Sequence, residues 1–301
     1  MIGRCASARP KFCKVQRLMR QISVYIIAYN EAEKVRATIE SVLWADEIIV
    51  VDSWSTDGTA DIAQALGAKV VQVKFNGFGN LRNQALDACS HEWIFSLDAD
   101  ERCTAQAAQE IRAICADSTS LDIYRVPRRN YFMGRWIRYS GWYPNYRQPQ
   151  LFRKGSMRYD QKPVHEGYEV FSSKPIGHLK NAIWQFPFKH LGEVMHKANR
   201  YSTLGAEKVV HKKISMGTAL AHGLWAFLKH YVFKRGVLDG WAGFVIAFAY
   251  FEQTFYRYAK AYEMQQGANW MSPEGEKIAQ AASDAPKSPI EVQAAHDLHA
   301  K

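Results

Sequence analysis

The run Ile22-Ser-Val-Tyr-Ile-Ile-Ala-Tyr29 is apolar, rich in β-branched residues and of strand length, and it stops at Asn30-Glu31. The next thirty residues narrow the fold. Glu33 to Leu43 sets Val35, Ile39, Val42 and Leu43 on one helical face. Glu47 to Val51 is a second short apolar strand, leading into Asp52-Ser-Trp-Ser-Thr-Asp-Gly-Thr59, where Thr56 or Asp57 suits the cap of another helix. Strand, helix, strand, polar loop, helix is a right-handed βαβ unit. Its polar residues gather at the strand C-termini, where open α/β sheets bind ligands. The fold class read from this is α/β.

A second feature lies at residues 92 to 104, a buried-looking strand ending in Asp98-Ala-Asp100. Side chains at i and i+2 of a strand share a side, so the two carboxylates would repel unless a cation sat between them. A hard divalent ion that fills its remaining positions with phosphate oxygens suits such a pair. An isolated Asp-x-Asp is more often a polar strand end and a helix cap; the upstream βαβ unit shifts the balance toward a site. Glu101 stays open between a role there and the start of the next helix.

The three strings Ile27-Ala-Tyr-Asn-Glu31, Val50-Val-Asp-Ser-Trp-Ser-Thr-Asp-Gly-Thr59 and Ser96-Leu-Asp-Ala-Asp-Glu101 together resemble the family 2 glycosyltransferases, over roughly residues 20 to 105. The resemblance implies a GT-A, Rossmann-like nucleotide-sugar-binding domain and inverting transfer with Mg²⁺ or Mn²⁺. Phe75-Asn-Gly-Phe-Gly-Asn-Leu-Arg-Asn83, Val164-His-Glu166 and the C-terminal helices look most like the bacterial lipopolysaccharide inner-core enzymes that add β-glucose to a heptose. By that resemblance the donor is a UDP-sugar, UDP-glucose first, and the acceptor a lipid-linked phosphorylated saccharide. Ala28, Tyr29, Glu31, Asp52 and Ser53 would form the nucleoside pocket, with Ser53 standing where the family commonly has a second Asp. Asp100 would coordinate the metal, with Asp98 on the ribose or the metal's water shell. Glu166 would be the catalytic base and His165 its orienting partner or a substrate contact.

The residues themselves add a diphosphate site. Arg82 and Asn83 are read at the start of a helix running to Cys89, where a guanidinium and a helix N-terminus together favour anions. Gly77-Phe-Gly79 before it is read as a flexible turn.

The formal charge is +10, and its distribution says more than its total. From Ile123 to Tyr159 there is no acid, while arginines alternate with Tyr, Trp and Phe. Such a stretch can stack and neutralise RNA. No RNA-binding motif accompanies it, so an acceptor face is preferred over nucleic acid, with Arg128, Arg129, Arg135, Trp136 and Trp142 meeting sugar rings and phosphates. Lys197 and Arg200, at helical spacing, are further candidates for a phosphate.

The expected organisation is a basic N-terminal extension over 1–20, a GT-A domain over 21–189 with its acceptor region at about 123–189, a helical membrane-facing appendage over 190–267 and a disordered tail over 268–301. The extension is either disordered or upstream of a natural start at Met19. Five cysteines without metal-ligand spacing fit a reduced, cytoplasmic setting. Leu224 to Arg235 mixes bulky apolar residues with cations, and Gly240 to Phe251 has no charge. That stretch is short of the ~20 residues of a spanning helix. It suits a helix lying on anionic lipid, which places the chain peripherally on the cytoplasmic face of the inner membrane. Two other readings stay open: a transferase acting on a polyprenyl-linked or capsule intermediate, and a non-catalytic basic protein that binds RNA or membrane through a transferase-like fold.

Overall fold

The computed structural model describes residues 20–146, 148–160 and 167–266, with 277 and 280. Residues 1–19 of the N-terminal extension, His165, Glu166 and all but two residues of the tail lie outside the described residues. The chain divides into two compact units, Met1–Val194 with Phe227–Phe248, and Met195–Ala226 with Ala249–Lys301.

The first unit opens with β1 (Ile22–Ala28), α1 (Ala32–Glu40), β2 (Glu47–Asp52), α2 (Thr59–Ala65) and β3 (Lys69–Gln72). β1 pairs in parallel with β2, and β2 with β3. Every residue of β1 is buried, as a strand covered on both faces of a parallel sheet must be. Its alternation splits the core in two: Ile22, Val24 and Ile26 pack with Val35, Ile39, Phe95 and Ile111. Tyr25 and Ile27 pack on the other face with Ile49, Leu81 and Phe152.

α3 (Phe78–Ala88) carries the chain back to β4 (Trp93–Asp98), which pairs with β1 on the side opposite β2. The sheet order therefore reverses between β1 and β4, and a crevice forms outside the carboxyl ends of such strands. Register brings the relevant residues level, with Ala28 opposite Asp52 and Ile27 opposite Asp98.

Next come β5 (Glu101–Arg102), α4 (Ala105–Ala116), β6 (Ile123–Arg125), β7 (Arg128–Phe132), β8 (Arg135–Trp136), β9 (Pro149–Arg153), β10 (Met157–Tyr159), β11 (Tyr168–Val170), β12 (Gly177–His178) and β13 (Ile183–Gln185). The main sheet runs β12-β6-β9-β4-β1-β2-β3, and a smaller sheet runs β5-β13-β7-β8. The two sheets meet at Glu101. Its carboxylate has no exposed surface and accepts from Arg128 Nε at 2.5 Å. It also accepts from Gln150 Nε2 at 2.9 Å and from the Asp98 amide at 3.0 Å.

Helices α5 (Leu191–Glu207), α6 (Met216–Leu228) and α7 (Trp241–Gln266) supply the C-terminal third. In the second unit Ala206, Ile214 and Ala261 form a small core with Tyr258 and Tyr262. Lys260 Nζ there bonds Asn199 Oδ1 at 2.7 Å and Thr203 Oγ1 at 2.8 Å. Within the first unit, a π-helical turn over Lys229–Phe233 and a 3₁₀ turn over Gly236–Asp239 precede α7. Asp239 is buried and accepts from the Arg138 amide at 3.0 Å, the Tyr139 amide at 3.1 Å and Ser140 Oγ at 2.9 Å. A Cβ on Gly243 would lie 1.9 Å from the Gly236 carbonyl oxygen, so only glycine lets α7 start against that turn. No described helix is long and apolar enough to cross a membrane.

Several local expectations need correcting. Val35, Ile39 and Val42 are buried, but α1 ends at Glu40 and Leu43 is 59% exposed. Gly58, at φ 87°, caps α2 in place of Thr56 or Asp57. Gly77, at φ 88°, caps α3, so Phe78 and Gly79 open the helix and Arg82 and Asn83 fall in its second turn. Glu101 starts no helix: it lies on β5, and Thr104 caps α4 through a bond from the Ala107 amide. Cys89 and Cys103 are buried, which pushes both thiols up to about 12 and leaves them protonated.

The Glu101–Arg128 pair should behave as one unit. Arg128→Met should cost about 3–5 kcal/mol in urea unfolding, because it strands a buried carboxylate. Adding Glu101→Gln should return part of that loss. Simply additive losses would mean the two side chains do not share the pair.

Candidate active site

The loops after β1 and β2 are laced together by short polar side chains. Asp52 is fully buried; it accepts from the Ser55 amide at 2.9 Å and from Ser55 Oγ. Ser55 Oγ accepts from the Asn30 amide at 2.8 Å, and Asn30 Oδ1 accepts from the Thr56 amide at 2.9 Å. The Glu31 amide reaches Thr59 Oγ1, and the Ala32 amide reaches Asp57 Oδ2, both at 2.9 Å. This is how Ser, Thr, Asn and Asp hold a turn: each replaces a backbone partner that neither helix nor sheet supplies. Asn30 and Trp54 adopt φ 53° and 60° in these loops. Tyr29 and Trp54 project, 63% and 64% exposed. Ser53 sits buried, and among the described residues its Oγ has no hydrogen-bond partner. Ala28 is buried at the end of β1, its carbonyl accepting from the Ser53 amide at 3.0 Å. Asp52 is thus a loop organiser, and an exposed aromatic beside it, Trp54, joins the candidate nucleoside contacts. Sequence reading passes over Trp54, although a bulky aromatic between two serines in a polar loop is the signal that marks it.

Asp98 ends β4, and Asp100 lies in the turn after it. The two carboxylates therefore do not alternate along one strand; a turn brings them together. Asp98 Oδ1 accepts from Arg82 Nη2 at 2.8 Å. Arg82 is buried on α3, bonds Ser96 Oγ at 3.3 Å and lies 5.6 Å from the Tyr159 ring centroid. Asn83 is buried beside it but spends its amide on the Tyr159 backbone, donating at 2.8 Å and accepting at 3.0 Å. Asn83 ties α3 to β10 and offers little to a ligand. Gln185 Nε2 stands 3.3 Å from both oxygens of Asp100. Burial first, and then the charge of Asp98, push Asp100 up to about 6, with Lys34 opposing.

Two carboxylates on one turn, one of them raised by burial and by the other, are hard oxygen donors whose repulsion a divalent cation would relieve. Among the described residues no three His, Cys, Asp or Glu gather as a complete ligand set. A divalent ion held here would take its remaining oxygens from phosphate and water. Glu31 is half-buried beside the turn and pairs with Lys34 at 3.2 Å.

The sequence profile described as Glycosyl transferase family 2 matches residues 23–173. The chain belongs to glycosyl transferase family 2. A lipopolysaccharide core biosynthesis glycosyltransferase, LpsC, of Rhizobium meliloti is 32% identical over 80% of this chain and 92% of its own length. An uncharacterized glycosyltransferase of Rickettsia bellii is 29% identical over 84% of this chain and 90% of its own. The solved structure of Mycobacterium tuberculosis glucosyl-3-phosphoglycerate synthase with Mn²⁺, UDP and glucosyl-3-phosphoglycerate is 26% identical over 41% of this chain and 51% of that one, with a TM-score of 0.34. This family 2 glycosyltransferase has a mixed α/β domain followed by C-terminal helices.

The remaining site candidates of the glycosyltransferase separate by burial. Arg128 is committed to Glu101 inside the protein and leaves the acceptor face. Arg129 lies 4.7 Å from the Trp136 ring centroid and Arg138 5.8 Å from it, while Tyr143 meets Trp136 edge-on at 5.4 Å. Arg135 is exposed. Trp142 packs against Phe132 and Phe188. Lys197 and Arg200 are exposed on α5 in the second unit. His165 and Glu166 fall outside the described residues; the residues bracketing their segment, Asp160 and Gly167, bond each other at 2.7 and 3.1 Å.

Proposed function

We propose that this glycosyltransferase moves a hexose, glucose from UDP-glucose, with inversion onto a phosphorylated heptose of the lipopolysaccharide inner core, presented on lipid at the cytoplasmic face of the inner membrane. The observation that carries the donor side is the Arg82–Asp98 pair beside Asp100, at the crevice where the sheet order reverses. The similarity to LpsC supports the lipopolysaccharide acceptor.

In this reading Tyr29 and Trp54 flank the uracil, and Ser53 Oγ, without a partner among the described residues, takes a nucleoside hydrogen bond. Arg82, held by Asp98, supplies positive charge for the departing diphosphate. Asp98 and Asp100 would hold Mg²⁺ or Mn²⁺, which when bound neutralises charge on the diphosphate. Glu166 takes the proton of the acceptor hydroxyl, with His165 orienting it. The acceptor oxygen forms its bond to the anomeric carbon as the bond to the diphosphate breaks, and UDP leaves with the electron pair. Arg129, Arg135 and Trp136 meet the acceptor's phosphates and rings.

Membrane contact rests on the helical insert of the first unit. Val232, Phe233, Val237, Leu238 and Trp241 are each more than half exposed, with Lys229, Lys234 and Arg235 among them. Apolar groups beside cations suit an anionic bilayer surface.

Calorimetry tests the donor site. UDP should bind the native chain more tightly with Mn²⁺ than without, and Asp100→Ala should lose that difference while keeping its melting temperature. Unchanged Mn²⁺ dependence in the variant would remove Asp100 from the metal site. Vesicle flotation tests the membrane: anionic vesicles should capture the protein, less so at high salt, and Phe233→Ser with Trp241→Ser should release it. Capture that ignores both salt and the double variant would sink the docking role of this segment.

A further inference from the structure

The outward face of the smaller sheet carries side chains that the donor site leaves unused. Strand alternation puts Arg102, Trp184 and Arg129 in one row, because Trp184 pairs with both arginines across the ladder. Two residues further along, Phe186 and Tyr131 continue the same face, and Tyr131 is paired with Trp136. Glu101, Gln185 and Asn130 take the opposite face, toward the Asp98–Asp100 turn.

The aromatic side chains form a continuous patch. The Tyr131 ring lies 5.4 Å from Trp184 and stacks on Phe186 at 5.3 Å. Arg102 sits 5.8 Å from the centroid of Phe186. β13 is an inner strand, between β5 and β7, yet Trp184 is 39% exposed. Beside it opens a cavity of about 520 Å³ lined by Arg102, Thr104, Gln106, Trp184 and Phe186. That volume lies in the ~300–1,000 Å³ range of small-molecule sites.

The lining chooses the occupant. Among the described residues it contains no carboxylate and no lysine. Arg102 is held in place by bonds to the Lys34 carbonyl at 2.9 Å and to the Glu101 carbonyl at 2.8 Å, so it forms a fixed wall and not a mobile clamp. The indole of Trp184 offers an open apolar surface, and the exposed amide of Gln106 offers both a donor and an acceptor. A pyranose ring matches this: apolar C–H groups on its faces, hydroxyls round its edge. The site also borders the transfer chemistry, since the Phe186 amide donates to the Asp100 carbonyl at 2.9 Å and the neighbouring Gln185 reaches the Asp100 carboxylate.

We infer that this cavity is a saccharide subsite, in which Trp184 and Phe186 stack a pyranose ring of the acceptor on the face of the smaller sheet opposite the one that Gln185 turns to Asp100. The attribution to the acceptor rests on the proposed transfer; the sugar site itself does not.

Saturation-transfer NMR on the full chain, with methyl glucopyranoside, maltose and glucose 1-phosphate as probes, tests it, alongside a titration with UDP and Mn²⁺. Transfer to ring protons of at least one probe is expected, with affinity falling about ten-fold in Trp184→Ala and recovering in Trp184→Phe. Gln106→Trp, made at an exposed position, should close the cavity and abolish the signal without disturbing the core. No transfer to any probe, or equal transfer in Gln106→Trp, overturns the subsite. Sugar binding by a chain that ignores UDP would keep the subsite and overturn the donor reading instead.

Discussion

A carboxylate with no exposed surface joins the two sheets of this protein. Glu101 receives the Arg128 guanidinium, the Gln150 amide and the backbone amide of Asp98. Burial raises its proton affinity, Arg128 opposes that, and Asp98 and Asp100 add to the rise. Two negative neighbours and full burial make this an expensive place for an acid. What it secures is the turn Asp98-Ala-Asp100, which leaves the main sheet at β4 and enters the smaller sheet at β5. The donor candidates and the aromatic face both hang on that turn.

The donor side is largely legible in the sequence because it is built from local patterns. β1 and β2 are unbroken apolar runs, and their ends are marked by polar residues whose register the parallel ladder then fixes, Ala28 against Asp52 and Ile27 against Asp98. Arg82 stands out by its charge, although α3 begins a turn earlier than its sequence announces. The use of each side chain is not legible. Asp52 and Asn83 carry groups suited to ligands, and both spend them on backbone amides and carbonyls of their own fold. Composition cannot tell a ligand from a loop organiser; only the partners of each group do.

The basic, aromatic stretch shows the same limit at long range. Arg128 and Arg129 are adjacent in sequence, but strand alternation turns one into the core against Glu101 and the other outward over Trp136. Trp184 and Phe186 lie outside the acid-free stretch and join no pattern, since only pairing between β13 and β7 brings them beside Tyr131. Likewise Asp239, a lone acid between apolar helices, holds the Arg138 and Tyr139 amides and the Ser140 hydroxyl across about a hundred residues of chain, so the insert of exposed apolar residues and the basic loop are parts of one unit. Such contacts depend on topology, which single-sequence periodicity does not contain.

Hydrogen exchange on adding UDP and Mn²⁺ to the full chain shows where the donor sits without presuming which atoms hold it. Exchange should slow at amides of residues 28–32, 52–59 and 98–102, the loops at the carboxyl ends of β1, β2 and β4, with Met195–Ala226 unchanged. Slowing confined to residues 123–146 or to the second unit, with those three loops unaffected, would contradict this placement of the donor.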